Sequence, residues 1–217
     1  MNNTSVATNG SCVRGETTLE TGSNPCRTTK LQPLAFTLRL ALPIALVLLS
    51  TNLTSAAIES GPAVDSPLPE LKADAVTGDD AGKKTTFTTT RKAKPTVYVF
   101  IRADKFARPI ARYLKVLDKA LAELGKDRHV VAVWITEDAD KTREYLPKVQ
   151  QSIKLEATTL ALYAEDKNGP NARAINDRAH VTSIASDGTK VKARFAEQSF
   201  NETNVPEVTA ALKVLLK

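Results

Sequence analysis

The stretch PTVYVFIRAD, residues 95–104, decides how the rest of the chain is organised. Its first part is rich in β-branched and aromatic residues, which is typical of a buried strand. A polar turn follows at 105–109, and an amphipathic pattern then continues to Gly125. In many small α/β domains this turn carries the chemistry, because the helix N-terminus offers free backbone N–H groups and a positive partial charge. Here the turn contains no Cys, Ser, His or Glu.

Beyond this stretch, strand and helix patterns alternate to the end of the chain. Continuous apolar runs are typical of strands covered on both faces, and apolar residues three and four apart are typical of one helix face. The sequence Ser-Asp-Gly-Thr at 186–189 predicts a hairpin turn. The predicted strands are 96–103, 130–135, 158–164, 180–185 and 190–196, and the predicted helices begin near 109, 140 and 204.

This order predicts one three-layer α/β domain over residues 95–217, with a mixed sheet and helices on both faces. The alternating first half implies parallel strands joined by right-handed crossovers. The hairpin adds an antiparallel edge.

The element order and the hairpin motif SIASDGTKV, residues 183–191, resemble the thioredoxin-like superfamily. The extra strand before the hairpin is similar to the peroxiredoxin and membrane-anchored thioredoxin-like branch. The resemblance covers about residues 95–216 and implies the thioredoxin-like fold for them.

The resemblance also implies a redox site, and the sequence departs from it there. Thioredoxins carry Cys-Gly-Pro-Cys after the first strand of this unit, and peroxiredoxins carry Thr-x-x-Cys at the helix start. The family's cis-proline before the hairpin is replaced by Ala179-His180. Neither thiol–disulfide exchange nor peroxide reduction is therefore carried over, and we predict no catalytic residue, metal or cofactor from the family. The vestigial active-site loop consists of Ala107, Arg108, Pro109 and Ile110.

Residues 1–57 predict an exported protein. The ten residues 40–49 have no polar side chain, Arg39 precedes them, and the small residues Ser55-Ala56-Ala57 follow them. This pattern is typical of a secretory signal peptide cleaved after Ala57. Retention of residues 40–57 as a membrane anchor is the alternative.

The two segments that flank the apolar centre predict disorder. The head before it is rich in Ser, Thr, Asn and Gly and contains Cys12 and Cys26, the only cysteines of the chain. Signal cleavage would remove both. Residues 58–94 are polar and aperiodic, which predicts a disordered linker.

The charge distribution argues against nucleic-acid binding. The net charge is +6, but from residue 58 onward 26 Lys and Arg are balanced by 22 Asp and Glu. A nucleic-acid protein usually shows a concentrated basic face with aromatic platforms. We therefore predict no nucleic-acid partner.

Two groups of residues are candidates for a site. Arg102, Asp104 and His180, with Arg108, would lie near one another in this fold and could supply acid–base chemistry without a thiol. A basic stripe at helical spacing could bind an anionic surface. The stripe consists of Arg108, Arg112, Lys115 and Lys119.

We interpret the chain as an exported, non-redox binding or structural module with an unidentified protein partner. One alternative is an enzyme that uses the Arg102, Asp104, Arg108 and His180 neighbourhood. The other is a membrane-anchored module, held by residues 40–57, that binds an anionic surface.

Overall fold

The computed structural model of the protein describes residues 58–214. They contain a seven-stranded mixed sheet in the order β2-β1-β5-β4-β3-β6-β7. The strands are β1 (Lys72–Ala75), β2 (Lys84–Thr86), β3 (Thr96–Arg102), β4 (His129–Ile135), β5 (Thr158–Tyr163), β6 (Val181–Ser186) and β7 (Val191–Glu197). The α-helices are α1 (Phe87–Thr90), α2 (Arg108–Leu124), α3 (Ala139–Ile153) and α4 (Val205–Val214), with 3-10 turns at Ala103–Lys105, Asn171–Arg173 and Glu202–Asn204.

Strand β3 lies near the middle of the sheet and is covered on every side. It pairs in parallel with β4 and antiparallel with β6. Its residues from Val97 to Ile101 are buried, as the continuous apolar run predicts for a strand covered on both faces. Strand β5 adds a second parallel neighbour beyond β4, and β7 completes the antiparallel hairpin with β6. The predicted strands and their order along the chain are confirmed.

Alternation along the strands sorts the core into two layers, because successive side chains point to opposite faces. Val99, Ala132 and Trp134 share one layer with the buried residues of α2, α3 and α4. Tyr98 and Val133 belong to the opposite layer, with residues from the segment before β3. The short α1 and the 3-10 turn at Asn171–Arg173 lie on this second side.

The prediction of a disordered linker at 58–94 is wrong, because this segment belongs to the folded domain. Strands β1 and β2 form an antiparallel hairpin, and β1 pairs with β5 and extends the sheet. Leu71 is 0% exposed, and Phe87 is buried in the same cluster. The physical reason is that β5 would otherwise leave its backbone groups unpaired at an edge. A few buried apolar residues, Leu71 and Phe87 among them, are enough to pack the hairpin against the sheet.

The carboxylate of Asp118 ties α2 to the start of β5. Its Oδ1 accepts hydrogen bonds from the backbone N–H of Ala157 at 2.8 Å and from Thr158 Oγ1 at 2.6 Å. The N–H of Glu156 donates to the same carboxylate. Because Asp118 is buried, these bonds replace the hydration that the carboxylate loses on folding.

A proline inside a helix is expected to kink or restart it, but α3 runs from Ala139 to Ile153 across Pro147 without a restart. Pro147 lies on the exposed side of the helix. The backbone carbonyl that loses its N–H partner can therefore be hydrated instead.

None of the helices within residues 58–214 combines the length and apolarity that membrane crossing requires. The predicted signal segment at 40–57 and both cysteines lie outside the described residues.

The revised boundary of the domain can be tested within residues 58–94. We expect Leu71→Ala to lower the free energy of unfolding by about 3 kcal/mol, because truncating a buried leucine removes apolar contacts and leaves a cavity. Urea unfolding of the full chain, followed by circular dichroism, measures this change.

Val64→Ala is the matched control, because Val64 lies in the same segment and is 51% exposed. We expect it to change the free energy of unfolding by less than about 0.5 kcal/mol. Equal, small effects of the two substitutions would contradict the inclusion of this segment in the folded core.

Candidate functional site

A cleft of about 730 Å³ opens where β3 and β4 end. The carboxyl ends of parallel strands meet at one edge of a sheet, and the loops that leave them form a natural crevice. Here the walls come from the turn after β3, the loop between β4 and α3, and one side of α3. The residues that line the cleft include Arg102, Asp104, Phe106, Trp134, Thr136, Glu137, Asp138, Lys141, Thr142, Glu144, Tyr145, Lys148 and Lys167.

Three aromatic rings form one wall of the cleft. The ring centroids of Phe106 and Trp134 are 5.2 Å apart, and those of Phe106 and Tyr145 are 6.2 Å apart. Trp134 is 1% exposed and Tyr145 is 46% exposed, so the wall runs from the core to the surface. The rings are inclined to one another, by 58° between Phe106 and Trp134 and by 76° between Phe106 and Tyr145, and together they offer an apolar aromatic surface to a ligand.

The polar residues at the start of α3 are already engaged in the structure of the loop. Asp138 Oδ1 accepts a hydrogen bond from the backbone N–H of Lys141 at 3.0 Å, which caps the helix. The hydroxyl oxygen of Thr136 accepts from the N–H of Asp138 and from Thr142 Oγ1. These groups position the wall of the cleft.

Two residues that line the cleft each carry a buried N–H donor without a partner. The donors are Arg102 Nη1 and Trp134 Nε1. Arg102 Nε lies 3.8 Å from Asp104 Oδ1, so only one side of the guanidinium faces a carboxylate. A buried donor without an acceptor destabilises a fold by roughly 1–3 kcal/mol. Such atoms in a cleft are where a ligand can contribute the missing acceptor.

The structure brings together two of the four predicted pocket residues. Arg102 and Asp104 both line the cleft, but Arg108 and His180 do not. The backbone N–H of Arg102 donates to the carbonyl of His180 at 3.1 Å, so these two residues are neighbours through their main chains. The proposed grouping of all four side chains in one pocket is not found.

The vestigial loop forms the beginning of α2. Ala107 is the N-cap and makes no side-chain cap hydrogen bond, and Arg108 and Pro109 are the first two helical residues. Ile110 is buried in the core. The two positions where the resemblance places cysteines are occupied by Ala107 and Ile110, whose side chains are aliphatic.

The basic stripe lies on the exposed side of α2. Arg112 is partly engaged, because its Nη1 lies 3.6 Å from Glu202 Oε1. Binding of an anionic surface by this stripe stays a prediction. The exposed residues of the stripe are Arg108, Arg112, Lys115 and Lys119.

The sequence reasoning missed the aromatic wall. Trp134 ends a continuous apolar run, so its pattern indicates only a core residue. The sequence feature that could have indicated a site is the polar segment Thr136–Asp138 after that strand. Tyr145 and basic residues follow it on one side of α3.

Arg173 lies in the interior, which no pattern in the sequence predicts. It is 0% exposed and has no carboxylate partner in the part of the chain that the structure describes. Its Nη2 donates to the carbonyl of Pro69 at 2.6 Å, and its guanidinium lies 4.7 Å from the ring centroid of Tyr98. Burial lowers the pKa of Arg173 to about 10.

Residues 58–214 contain no group of three or more His, Cys, Asp or Glu side chains placed to hold a metal ion. The absence of a metal or cofactor from the whole chain stays a prediction.

His129 lies outside the cleft, at the start of β4. Its protonation affects the stability of the fold. Its Nε2 is 2.8 Å from Thr159 Oγ1. Burial lowers the pKa of His129 from 6.5 to about 4, and the nearby Arg91 adds to the effect. The imidazole is therefore neutral in the folded chain near neutral pH.

This pKa predicts a stability change in mild acid. Because the pKa of His129 is lower in the folded chain, the unfolded chain binds more protons as the pH falls from 6.5 to about 4. We expect the free energy of unfolding to fall by up to about 3 kcal/mol across this window. His129→Gln should flatten the fall, as measured by urea unfolding between pH 7 and pH 4. An equal flattening in the control His180→Gln would contradict the assignment to His129.

Three solved structures resemble the described fold. A protein assigned as the thiol:disulfide interchange protein DsbE of Chlorobium tepidum has a TM-score of 0.53 at 15% identity, covering 74% of this chain and 100% of its own. The DsbF homologue of Corynebacterium diphtheriae has a TM-score of 0.53 at 12% identity, covering 72% of this chain and 96% of its own. Peroxidoxin BcpB of Mycobacterium tuberculosis has a TM-score of 0.50 at 14% identity, covering 73% of this chain and 98% of its own.

These likenesses show the fold and confirm the predicted α/β class, and at such identities they show nothing about activity. No protein-family model and no curated protein sequence matches the chain.

Proposed function

The chain has a thioredoxin-like fold with no cysteine after residue 26, and from this premise we propose that it is an exported binding module without thiol chemistry. The observation that carries the proposal is the cleft at the ends of β3 and β4, where two buried N–H donors lack a partner. A concave site with an apolar wall and a few unpaired polar groups is the usual form of a ligand site.

The loop at the start of α2 supports the absence of thiol chemistry. A redox cysteine at a helix N-terminus is activated because the positive helix end stabilises its thiolate. Arg108 and Pro109 occupy the first two helical positions and Ala107 the N-cap. None of these side chains has a nucleophilic or redox-active atom.

Export is supported by the sequence before the domain. The apolar centre at 40–49 and the small residues Ser55-Ala56-Ala57 have the form of a secretory signal peptide. Cleavage after Ala57 would release a chain that begins at Ile58. The mature protein would then enter an oxidising compartment without any cysteine.

The redox part of the proposal is tested with the full-length chain and with Cys12→Ser/Cys26→Ser. We expect neither protein to accelerate the reduction of insulin by dithiothreitol, or the consumption of hydrogen peroxide, above the rate without protein. Insulin reduction is measured by turbidity and peroxide by its residual concentration. Acceleration by the full-length chain that is lost in the double substitution would overturn the proposal, because that activity would depend on the thiols of Cys12 and Cys26.

The binding part is tested by thermal unfolding in the presence of aromatic fragments in neutral, anionic and cationic forms. A ligand that binds the folded chain raises its Tm, because it stabilises the native state by about 2.7 kcal/mol at one hundred times its Kd. We expect some fragments to raise the Tm, and we expect Tyr145→Ala to reduce that rise by at least about half, because Tyr145 forms the outer part of the aromatic wall.

Tyr163→Ala is the matched control. Tyr163 ends β5, is partly exposed and does not line the cleft. The rise in Tm should survive this substitution. If no fragment raises the Tm of the unsubstituted chain, or if Tyr145→Ala leaves every rise unchanged, the cleft is not the binding site.

A further inference from the structure

The atoms that lack partners identify the chemistry of the ligand. Both unpaired atoms of the cleft, Arg102 Nη1 and Trp134 Nε1, are donors. Among residues 58–214, no carboxylate or amide oxygen is buried without a partner. A ligand that completes the hydrogen bonding of this cleft must therefore supply acceptors.

The charge of the guanidinium favours an anionic acceptor. Arg102 is a permanent cation, and hydrogen bonds between a cation and an oxyanion are about twice as strong as those between neutral groups. Asp104 faces Nε and lies closer to Lys105, at 3.1 Å, than to Arg102, at 3.8 Å. Nη1 has no anion of its own. The side chain of Arg102 is 20% exposed, so its guanidinium can bind a second carboxylate that enters the cleft.

The surroundings favour a single negative charge. Four basic residues of the cleft are balanced by four acidic ones, so the mouth as a whole does not attract a multiply charged ion. A phosphate dianion loses more hydration free energy on entering the cleft than a carboxylate does, and a balanced mouth supplies no net attraction to offset that cost. The eight residues are Arg102, Lys141, Lys148, Lys167, Asp104, Glu137, Asp138 and Glu144.

The aromatic wall indicates which kind of group the negative charge of the ligand is attached to. Phe106, Trp134 and Tyr145 extend the apolar surface from the interior of the cleft to solvent. A flat apolar body packs against such rings and gains both burial and aromatic contacts. Building on the binding function proposed above, we infer that the cleft binds a carboxylate attached to a planar apolar group, with Arg102 as the residue that pairs with the charge.

The experiment uses the indole N–H of Trp134 as the reporter. Trp134 is the single tryptophan of the chain, so a ¹H–¹⁵N correlation spectrum of the full-length protein contains one indole signal. Phenylacetate is the probe, phenylacetamide its neutral isostere, acetate the charge without the ring, and phenyl phosphate the dianionic analogue. Calorimetry gives the Kd of each.

We expect phenylacetate to shift the indole signal in a saturable way. Phenylacetamide and acetate should each bind at least about tenfold more weakly, because each lacks one of the two recognised parts. Phenyl phosphate should also bind more weakly than phenylacetate. Arg102→Met should weaken phenylacetate about tenfold, while the matched control Arg178→Met, an exposed arginine outside the cleft, should retain the Kd within about twofold.

Trp134→Phe provides a second variant, because it removes the indole donor and keeps an aromatic ring. We expect a Kd for phenylacetate several-fold higher than that of the unsubstituted chain. The remaining amide signals show whether each variant is folded, so a loss of binding is not mistaken for a loss of structure.

The outcomes separate this inference from the proposed function. Equal binding of phenylacetamide and phenylacetate, with the indole signal shifted, would overturn the carboxylate inference and leave the binding module intact. Unchanged affinity in Arg102→Met, or tighter binding of phenyl phosphate, would also overturn it. The carboxylate inference would also be overturned if none of the four probes shifted the indole signal. If, in addition, no fragment raised the Tm in the thermal unfolding experiment, the proposed binding function would be overturned as well.

Discussion

The burial of β3 on both faces and along both edges is the constraint on which the rest of the structure depends. A strand rich in Val, Tyr, Phe and Ile gains stability only if each face packs against another layer and each backbone N–H and C=O is paired. Strands β4 and β6 satisfy the edges. Helices α2, α3 and α4 contribute the layer on one face, and the segment from residue 58 to β3 contributes to the other. The domain therefore includes that segment, because without it the second layer, with Tyr98 and Phe100, would face water.

The position of the cleft follows from the same pairing. Strands β3 and β4 run parallel, so their carboxyl ends, at Arg102 and Ile135, reach the same edge of the sheet. The chain must leave both strands there and turn back into α2 and α3, which separates the two loops and opens a crevice between them. The ring of Phe106 contacts both Trp134 and Tyr145 at this gap. The site is thus a consequence of topology and does not need the thiol chemistry of the proteins that share the fold.

The sequence predicted the central strands because long apolar runs and a strong turn signal carry their own structural information. The β1–β2 hairpin was missed because its strands are short and polar, and Leu71 and Phe87 show no periodicity that would indicate burial.

Arg102 and Asp104 could be placed in a pocket because both follow the first strand. His180 was grouped with them because it precedes β6, but β6 lies on the opposite side of β3 from β4, and the cleft lies on the β4 side. Which strands are neighbours in the sheet depends on tertiary pairing, and a single sequence does not reveal that pairing.

A comparison of Arg173 with Arg102 shows why only Arg102 is available to a ligand. Arg173 is fully enclosed; the ring of Tyr98 and the carbonyl of Pro69 stabilise its charge, and its two unpaired nitrogens lie where no ligand can reach them. The side chain of Arg102 is 20% exposed and lines an open cleft. The same deficit of hydrogen bonds therefore has different consequences. In the interior it is a permanent loss of stability, which the surrounding core must offset. At Arg102 it is relieved whenever an acceptor enters the cleft, so the free energy of that hydrogen bond contributes directly to affinity.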